Sequence, residues 1–516
     1  MAHEQGLFSL ENIYRQYLAC RKNKRNTANA LRFEARQELN LLALRDALVD
    51  RSYVPGRSVC FFVKRPKLRE VFAADFRDRV VHHVLVSHLE KIWEPIFIHD
   101  SYACRKGKGV HAGVERLQLF MRQATANGTR PAWYLQLDIR NYFMSIAKRR
   151  LFDMVAAKLK PSDAADAEAR WLTERLVFHD CTVDPVLKGD PRLIDRLPPH
   201  KTLFRAPPGK GLPIGNLNSQ FFANVYLNAL DQFVKHELKC RWYLRYCDDF
   251  VLLAESPEQL AAWQVRIAGF LAERLDLQLN PSRERLRPVA DGVDFLGYIV
   301  RPFHLLVRKR VLGHLHEALQ RSERALVTQH AQCVEYRFDD ELLGQLQASL
   351  ASYLGHLRRA ACARLVASIW ARHAWLSAYL KLNPSSLQLS RRDRAALQAR
   401  TVLAQYRHWV EAFPGEVVLI QVGAFVERLE WPPRRLRAAS RPGEAGAVQG
   451  ERPGLKRMRP TRRGAVEGFP LPQLRRRVVA WLAEGKPVVF IGQKGEAGGG
   501  VMQRGPVLRW AGVADF

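Results

Sequence analysis

The chain lacks long apolar runs. No uninterrupted stretch reaches the roughly 18 residues that a membrane span needs, so no membrane partner is expected. It also lacks paired cysteines. Its eight Cys (Cys20, Cys60, Cys104, Cys181, Cys240, Cys247, Cys333 and Cys362) include no C-x-x-C pair. That argues against a zinc site or a disulfide framework, and reduced thiols fit the cytosol. The opening MAHEQGLFSL has no signal-peptide pattern, so a cytoplasmic location is expected. Acid is scarce: 51 Asp and Glu stand against 81 Lys and Arg, a net charge of +30. Such an excess suits a polyanion partner and binding that weakens steeply with salt. What is present is size and apolar content. The 516 residues suffice for about three domains, and 47% are hydrophobic, enough for sizeable cores.

One acidic pair stands out against that basic background. In RWYLRYCDDFVLLAES, Asp248 and Asp249 interrupt an apolar, aromatic-rich stretch with strand character on both sides. Adjacent carboxylates in such surroundings repel each other, and burial raises their pKa unless a cation neutralises them. A second apolar strand, Trp133 to Leu137, ends at Asp138. Two strand-borne acidic sites can converge on two Mg²⁺ ions, which favour carboxylate and phosphate oxygens. That is the apparatus for joining a nucleotide to a primer.

These strings resemble a known family. YCDDFVLL is similar to the YxDD signature of reverse transcriptases, and DIRNYFMSI to the strand bearing their first aspartate. GKGLPIGNLNSQFFANVYLNALDQFVKHEL resembles the template-packing motif of the bacterial enzymes. PKLREVFAADFRDRVVHHVLVSHLEKIWEPIF and HDSYACRKGKGVHAGVERL resemble the fingers, and DGVDFLGYIV with LLVRKRV the approach to the thumb. The blocks follow the family's order over about residues 10–385. Ile214-Gly215-Asn216-Leu217-Asn218-Ser219-Gln220 replaces the usual Gln-Gly start and Ser-Pro end. That variant resembles the reverse transcriptases of diversity-generating retroelements, which copy a template RNA into cDNA with errors at adenines.

The resemblance implies an α/β (α+β) fold: a right-hand polymerase with fingers, a ferredoxin-like palm and a helical thumb, plus a small C-terminal mixed α/β domain. The expected boundaries are 1–130 for N-terminal helices and fingers, 131–305 for the palm, 306–400 for the thumb and 401–516 for the terminal domain. The uninterrupted run Phe33 to Leu48 reads as helix, and 310–385 as thumb helices with apolar residues at i, i+3 and i+4. From Arg434 to Arg477, thirteen Lys or Arg face three Glu, a basic insertion between strand-like VVLIQVGAFVERL and KPVVFIGQ. The amphipathic QLRRRVVAWLAEG lies beside the second of these. This segment resembles the N-terminal mismatch-recognition domain of MutS proteins, whose Phe-x-Glu motif fits Phe425 and Glu427, with Val426 at a position usually aromatic. The plainer alternative puts Phe425 in the core and Glu427 on the surface.

By resemblance, Asp138, Asp248 and Asp249 are the catalytic and metal-binding triad, joined by the backbone carbonyl of Ile139. The cofactor implied is a pair of Mg²⁺ ions, with Mn²⁺ as the substitute. Phe143 would pack under the sugar and exclude a 2′-hydroxyl, or serve simply as palm core. Lys67 and Arg69 would meet the incoming triphosphate, with Arg77 and Arg79 as weaker candidates. Arg105, Lys106 and Lys108 would touch the template backbone, or belong to a solvated loop. Gly215 would approach the templating base pair, and Ile214 and Gln220 would tune fidelity, Gln220 also lying near the nucleotide. Arg283 stands where the family often has a lysine, and Arg scarcely deprotonates. The implied partners are template RNA, cDNA and its RNA/DNA duplex, dNTPs, and a small basic accessory protein. Two other readings stand beside the diversity-generating one: a phage-defence or retron-like reverse transcriptase, and an RNA-binding scaffold with a vestigial polymerase.

Overall fold

The computed structural model describes residues 6–22, 27–64, 67–360, 362–397, 399, 401–429, 465–497 and 501–510. The chain divides into two compact units, Met1–Phe303 and His304–Phe516.

The first unit opens with helices α1 (Leu10–Arg21), α2 (Ala28–Glu34) and α3 (Gln37–Val49). Ser9 caps α1 by accepting from the Asn12 N–H. The stretch Phe33 to Leu48, expected as continuous helix, breaks at Arg36 (φ −135°, ψ 47°). Polar contacts hold the break: the Tyr17 hydroxyl reaches Glu34 and Gln37, and the Asn40 amide donates to the Phe33 carbonyl. Phe33 thereby packs against Tyr17 and Phe76 in the core. Next come the antiparallel hairpin β1 (Val59–Val63) and β2 (Arg69–Ala73), then α4 (Phe76–Trp93) and α5 (Val110–Ala124).

The centre of this unit is built from β3 (Trp133–Asp138), α6 (Tyr142–Ser145), α7 (Lys148–Ala156), α8 (Ala164–Phe178), β4 (Val186–Lys188), α9 (Leu217–Gln232), β5 (Trp242–Tyr246), β6 (Asp249–Ala254), α10 (Pro257–Leu275) and β7 (Arg285–Pro288). β4 pairs in parallel with β1, so the segment between α8 and α9 returns to the first hairpin. The remaining strands make one sheet, in the order β5-β6-β3-β7, with every pair antiparallel. Strand, helix, two strands, helix, strand in that order is the ferredoxin-like arrangement. Alternation decides its faces. Leu135, Leu137, Phe250 and Leu252 enter the core with residues of α9 and α10. Tyr134, Gln136 and Asp138 take the other face, opposite Leu253, Val251 and Asp249.

The second unit holds helices Lys309–Leu326, Asp340–Leu357 and Ala363–Arg372 and a seven-stranded sheet. Its strand order is Val327–Gln329, Val334–Tyr336, Val501–Trp510, Val488–Ala497, Val417–Val422, Phe425–Leu429, Ala465–Pro470. The stretch expected as helical thumb thus contributes two strands, VTQ and VEY, to a sheet whose other strands come from the terminal segment. One sheet face packs Val418, Ile420, Val489 and Ile491 with Leu315, Leu343, Leu350 and Trp409. The opposite face packs Val417, Leu419, Val426 and Phe490 with Val478 and Trp481 of helix Leu474–Ala483. Most of the basic insertion, residues 430–464, lies outside the described residues. Among the described residues no helix is long and apolar enough to cross a membrane.

Candidate active site

Asp138 closes β3 and Asp249 opens β6, and the strand register sets them directly opposite each other. Asp248 lies in the turn between β5 and β6. That turn depends on Cys247 taking a left-handed conformation, φ 57°, unusual for a residue with a side chain. It is tied to the end of β3 by the Ile139 N–H, which donates to the Asp248 carbonyl at 3.3 Å. Strand alternation alone separates Asp248 from Asp249; the turn brings both within the field of Asp138. Burial, reinforced by the Asp138 charge, pushes the Asp248 carboxyl up to about 6. Burial pushes Asp249 up to about 7; the Gln136 amide opposes this, and the charges of Asp248 and Asp138 add to it. Arg69 acts to lower Asp248 and Arg283 to lower Asp249, so two basic residues singled out in the sequence lie within electrostatic reach of the carboxylates.

Several residues that the motifs do not mark hold this group in place. Gln136, two positions before Asp138 on the same face, donates from Nε2 to Asp249 Oδ1 at 3.1 Å and to the Asp294 carbonyl at 3.0 Å. Asn280 Nδ2 donates to Asp138 Oδ1 at 2.9 Å, and its N–H to the Asp138 carbonyl at 2.8 Å. Beneath the turn, Arg245 and Asp231 form an ion pair at 2.6 Å with both side chains at 0% exposure. The signal for Gln136, Arg245 and Asp231 was present: polar side chains interrupt the apolar strings WYLQLD, WYLRY and NALDQF, and a buried charge requires a partner.

Other expected residues fall in several places. Lys67 and Arg69 are exposed at the start of β2. Phe143 is half-buried on α6, edge-on to Tyr142, and its carbonyl accepts from the Leu212 N–H at 2.8 Å. The Ile139 side chain is buried in the core. The Ile214 carbonyl accepts from the Phe72 N–H at 2.9 Å. Gly215 has φ 120°, and a Cβ there would stand 2.6 Å from Val71 Cγ1 and 2.9 Å from the Phe72 carbonyl oxygen. A close approach that requires glycine here is therefore to β2. Gln220 is exposed in the first turn of α9.

Arg105 is engaged within the protein. Its guanidinium, 7% exposed, is engaged by Glu94 at 2.8 Å and by the Ile98 and Ser101 carbonyls, so it braces the loop. Lys106 is exposed and meets Glu90 at 2.9 Å. Lys108 donates to the His99 carbonyl at 2.9 Å and lies over the Tyr102 ring. Arg77 is held by Asp78 and the Val54 carbonyl, and Arg79 by the Ala74 carbonyl.

The donor set fits hard divalent cations. Three carboxylates lie within electrostatic reach of one another, and two of them are raised by burial and mutual repulsion that bound positive charge would relieve. Among the described residues there is no ready-made cage of three or more His, Cys, Asp or Glu donors. Mg²⁺, which keeps waters and takes substrate phosphates, does not require one.

The family described as "Reverse transcriptase (RNA-dependent DNA polymerase)" matches residues 64–300, the span that carries this site. Protein YkfC of Escherichia coli (strain K12) is 29% identical over 317 residues, covering 55% of this chain and 75% of YkfC. The group II intron-encoded protein LtrA of Lactococcus lactis subsp. cremoris is 19% identical over 320 residues, covering 49% of this chain and 48% of LtrA. The chain thus spans about half of LtrA's length. Among solved structures, telomerase from Candida albicans aligns over 70% of this chain and 61% of that one, at 10% identity and a TM-score of 0.34, too low to bear on fold or function. With β3, β6 and the acidic turn between β5 and β6 inside that matched span, residues 64–300 carry a reverse transcriptase domain, the match being to RNA-directed DNA polymerases, and the chain is similar to a group II intron-encoded protein.

Proposed function

We propose that the chain copies a template RNA into cDNA by two-metal nucleotidyl transfer, and does so inaccurately, in the manner of diversity-generating retroelements. The observation that carries the chemistry is the pairing of Asp138 with Asp249 across β3 and β6, with Asp248 in the adjoining turn. Asp138, Asp248, Asp249 and the Ile139 carbonyl would hold the ions, which when bound activate the primer hydroxyl and neutralise the leaving pyrophosphate. Arg69, with Lys67 beside it, would receive the triphosphate, and Phe143 would select against a 2′-hydroxyl. Gln136 and Asn280 keep their carboxylates oriented between turnovers. Support for inaccuracy comes from the sequence at Ile214 and Gln220. The kinship with LtrA favours a second reading, faithful copying in the service of an intron.

One pair of experiments separates these readings. RNA-templated dNTP incorporation should require Mg²⁺ and fall to background in Asp248→Ala with Asp249→Ala; undiminished activity in that variant would sink the catalytic assignment. The cDNA should carry errors concentrated opposite template adenines, whereas errors spread evenly over the four bases leave the faithful reading. The terminal domain would examine mispaired duplex through Phe425 and Glu427. Its support is an alternation opposite to the plainer expectation: Phe425 is 52% exposed and Val426 is buried.

A further inference from the structure

An arginine in the middle of a core strand calls for a reason. Arg245 lies on β5 two residues before Cys247, and its side chain is 0% exposed. Nε and Nη2 grip both oxygens of Asp231 on α9, at 2.8 and 2.6 Å. Nη1 donates to the Cys247 carbonyl at 3.0 Å and to Asn224 Oδ1 at 3.3 Å, and Nη2 to Ser101 Oγ at 3.1 Å. Tyr243 donates to the same Asp231 at 2.7 Å, and Asn224 donates to the Ala103 carbonyl at 2.8 Å. The main chain of Arg245 is taken up as well: its N–H donates to the Asp100 carbonyl and its carbonyl accepts from the Tyr102 N–H, both at 2.9 Å.

Stability alone is a poor account of this network. A buried ion pair often gains little over apolar residues of the same volume. What the network adds is direction. A guanidinium offers donors in a fixed fork, and one arm of this fork ends on the carbonyl of Cys247, the left-handed residue that sets the turn into Asp248. The other arm ends on Ser101, whose carbonyl in turn accepts from Arg105. Helix α9, the 98–105 segment and the acidic turn therefore meet at a single side chain.

We propose that Arg245, oriented by Asp231, Asn224 and Ser101, is the positioning residue of the catalytic turn, fixing through the Cys247 carbonyl the direction in which Asp248 and Asp249 present their carboxylates. The inference rests on the two-metal reading above, and its failure is separable from the failure of that reading. If Asp248→Ala with Asp249→Ala keeps activity, the two-metal reading falls. If that variant is inactive while the Arg245 variants below remain fast, only the positioning role falls.

The test uses the full chain and two variants. Arg245→Met with Asp231→Leu removes both charges together, leaving no unpaired ion in the core. Arg245→Lys keeps the charge but cannot reach Asp231, Cys247 and Ser101 at once. Both should unfold within a few degrees of the parent. Their kcat for dNTP incorporation should fall about 10–100-fold, the loss typical of groups that orient ligands, with KM for dNTP changed less than about threefold. A second readout is independent of turnover. Amide hydrogens of the 246–249 turn should exchange faster in both variants, while those of α10 remain unchanged. Folded variants with the parent's kcat and the parent's exchange in the turn overturn the proposal. Failure of both variants to fold also overturns it, since the network would then be a requirement of the fold rather than of the turn.

Discussion

At the scale of single residues, the site depends on neutral donors as much as on its acids. Gln136 is the clearest case. Its amide opposes the rise of the Asp249 carboxyl, which burial pushes up to about 7. On the proposed two-metal reading, ionised Asp249 would be the form that takes up a cation, so activity should fall as pH drops through this range. Removing the amide leaves Asp249 harder to ionise, and the acid limb must then move toward higher pH. Gln136→Leu is expected to shift that limb upward by roughly half to one pH unit, the worth of one hydrogen bond, and to lower kcat at neutral pH about tenfold. A pH–rate profile that superimposes on the parent's would remove Gln136 from the site. At this scale the sequence was most legible where chemistry forces a rare pattern, as at Asp138, Asp248 and Asp249. It was least legible where function depends on which neutral group faces which carboxylate, because that follows from strand register and not from residue type.

At the scale of elements, alternation along one strand separates two readings of the terminal domain. In Phe425–Leu429, Val426 and Leu429 are buried while Phe425 is 52% exposed at the strand's start. The bulge between Arg428 and Leu429 breaks strict alternation, which is why a core reading of Phe425 was open from the sequence alone. An aromatic ring so exposed adds little to stability, so Phe425→Ala should change the unfolding free energy by no more than about 0.5 kcal/mol. If the ring stacks on nucleobases, the same change should weaken binding to mispaired duplex by about 1–3 kcal/mol, leaving primer extension on matched template intact. Filter binding of matched and mispaired duplexes decides the matter: equal loss on both, or none, removes the mismatch role. Helices of the first unit were legible from periodicity, but their breaks were not. The interruption at Arg36 depends on Tyr17 and Asn40, whose partners become neighbours only after folding.

At the scale of the whole molecule, the sequence divides most readily into polymerase and appendage, with a boundary near residue 400. The second unit is built otherwise. Strand Val334–Tyr336 pairs with Val501–Trp510, matching Val334 to Arg509 and Glu335 to Leu508, and Arg509 meets Glu416 at 2.8 Å. The core under the helices of the 306–400 stretch draws Tyr406, Trp409, Phe413, Val418, Ile420, Leu429, Val489 and Ile491 from beyond residue 400. Burying a large apolar side chain is worth about 1.5–3 kcal/mol. Losing eight of them removes on the order of 10 kcal/mol, comparable with the entire stability of a domain. A chain cut after residue 400 should therefore leave the 304–400 stretch without a cooperative unfolding transition, binding a hydrophobic dye and exchanging its amides freely. Residues 304–516 expressed together should unfold in a single transition. A 1–400 chain whose helices Lys309–Leu326 and Asp340–Leu357 stay as protected as in the full chain would show that the helical stretch is self-sufficient and the shared sheet an addition to it. If those helices lose protection, the terminal segment is part of the core of the 304–400 stretch, and its sequence is constrained by stability before any mismatch enters.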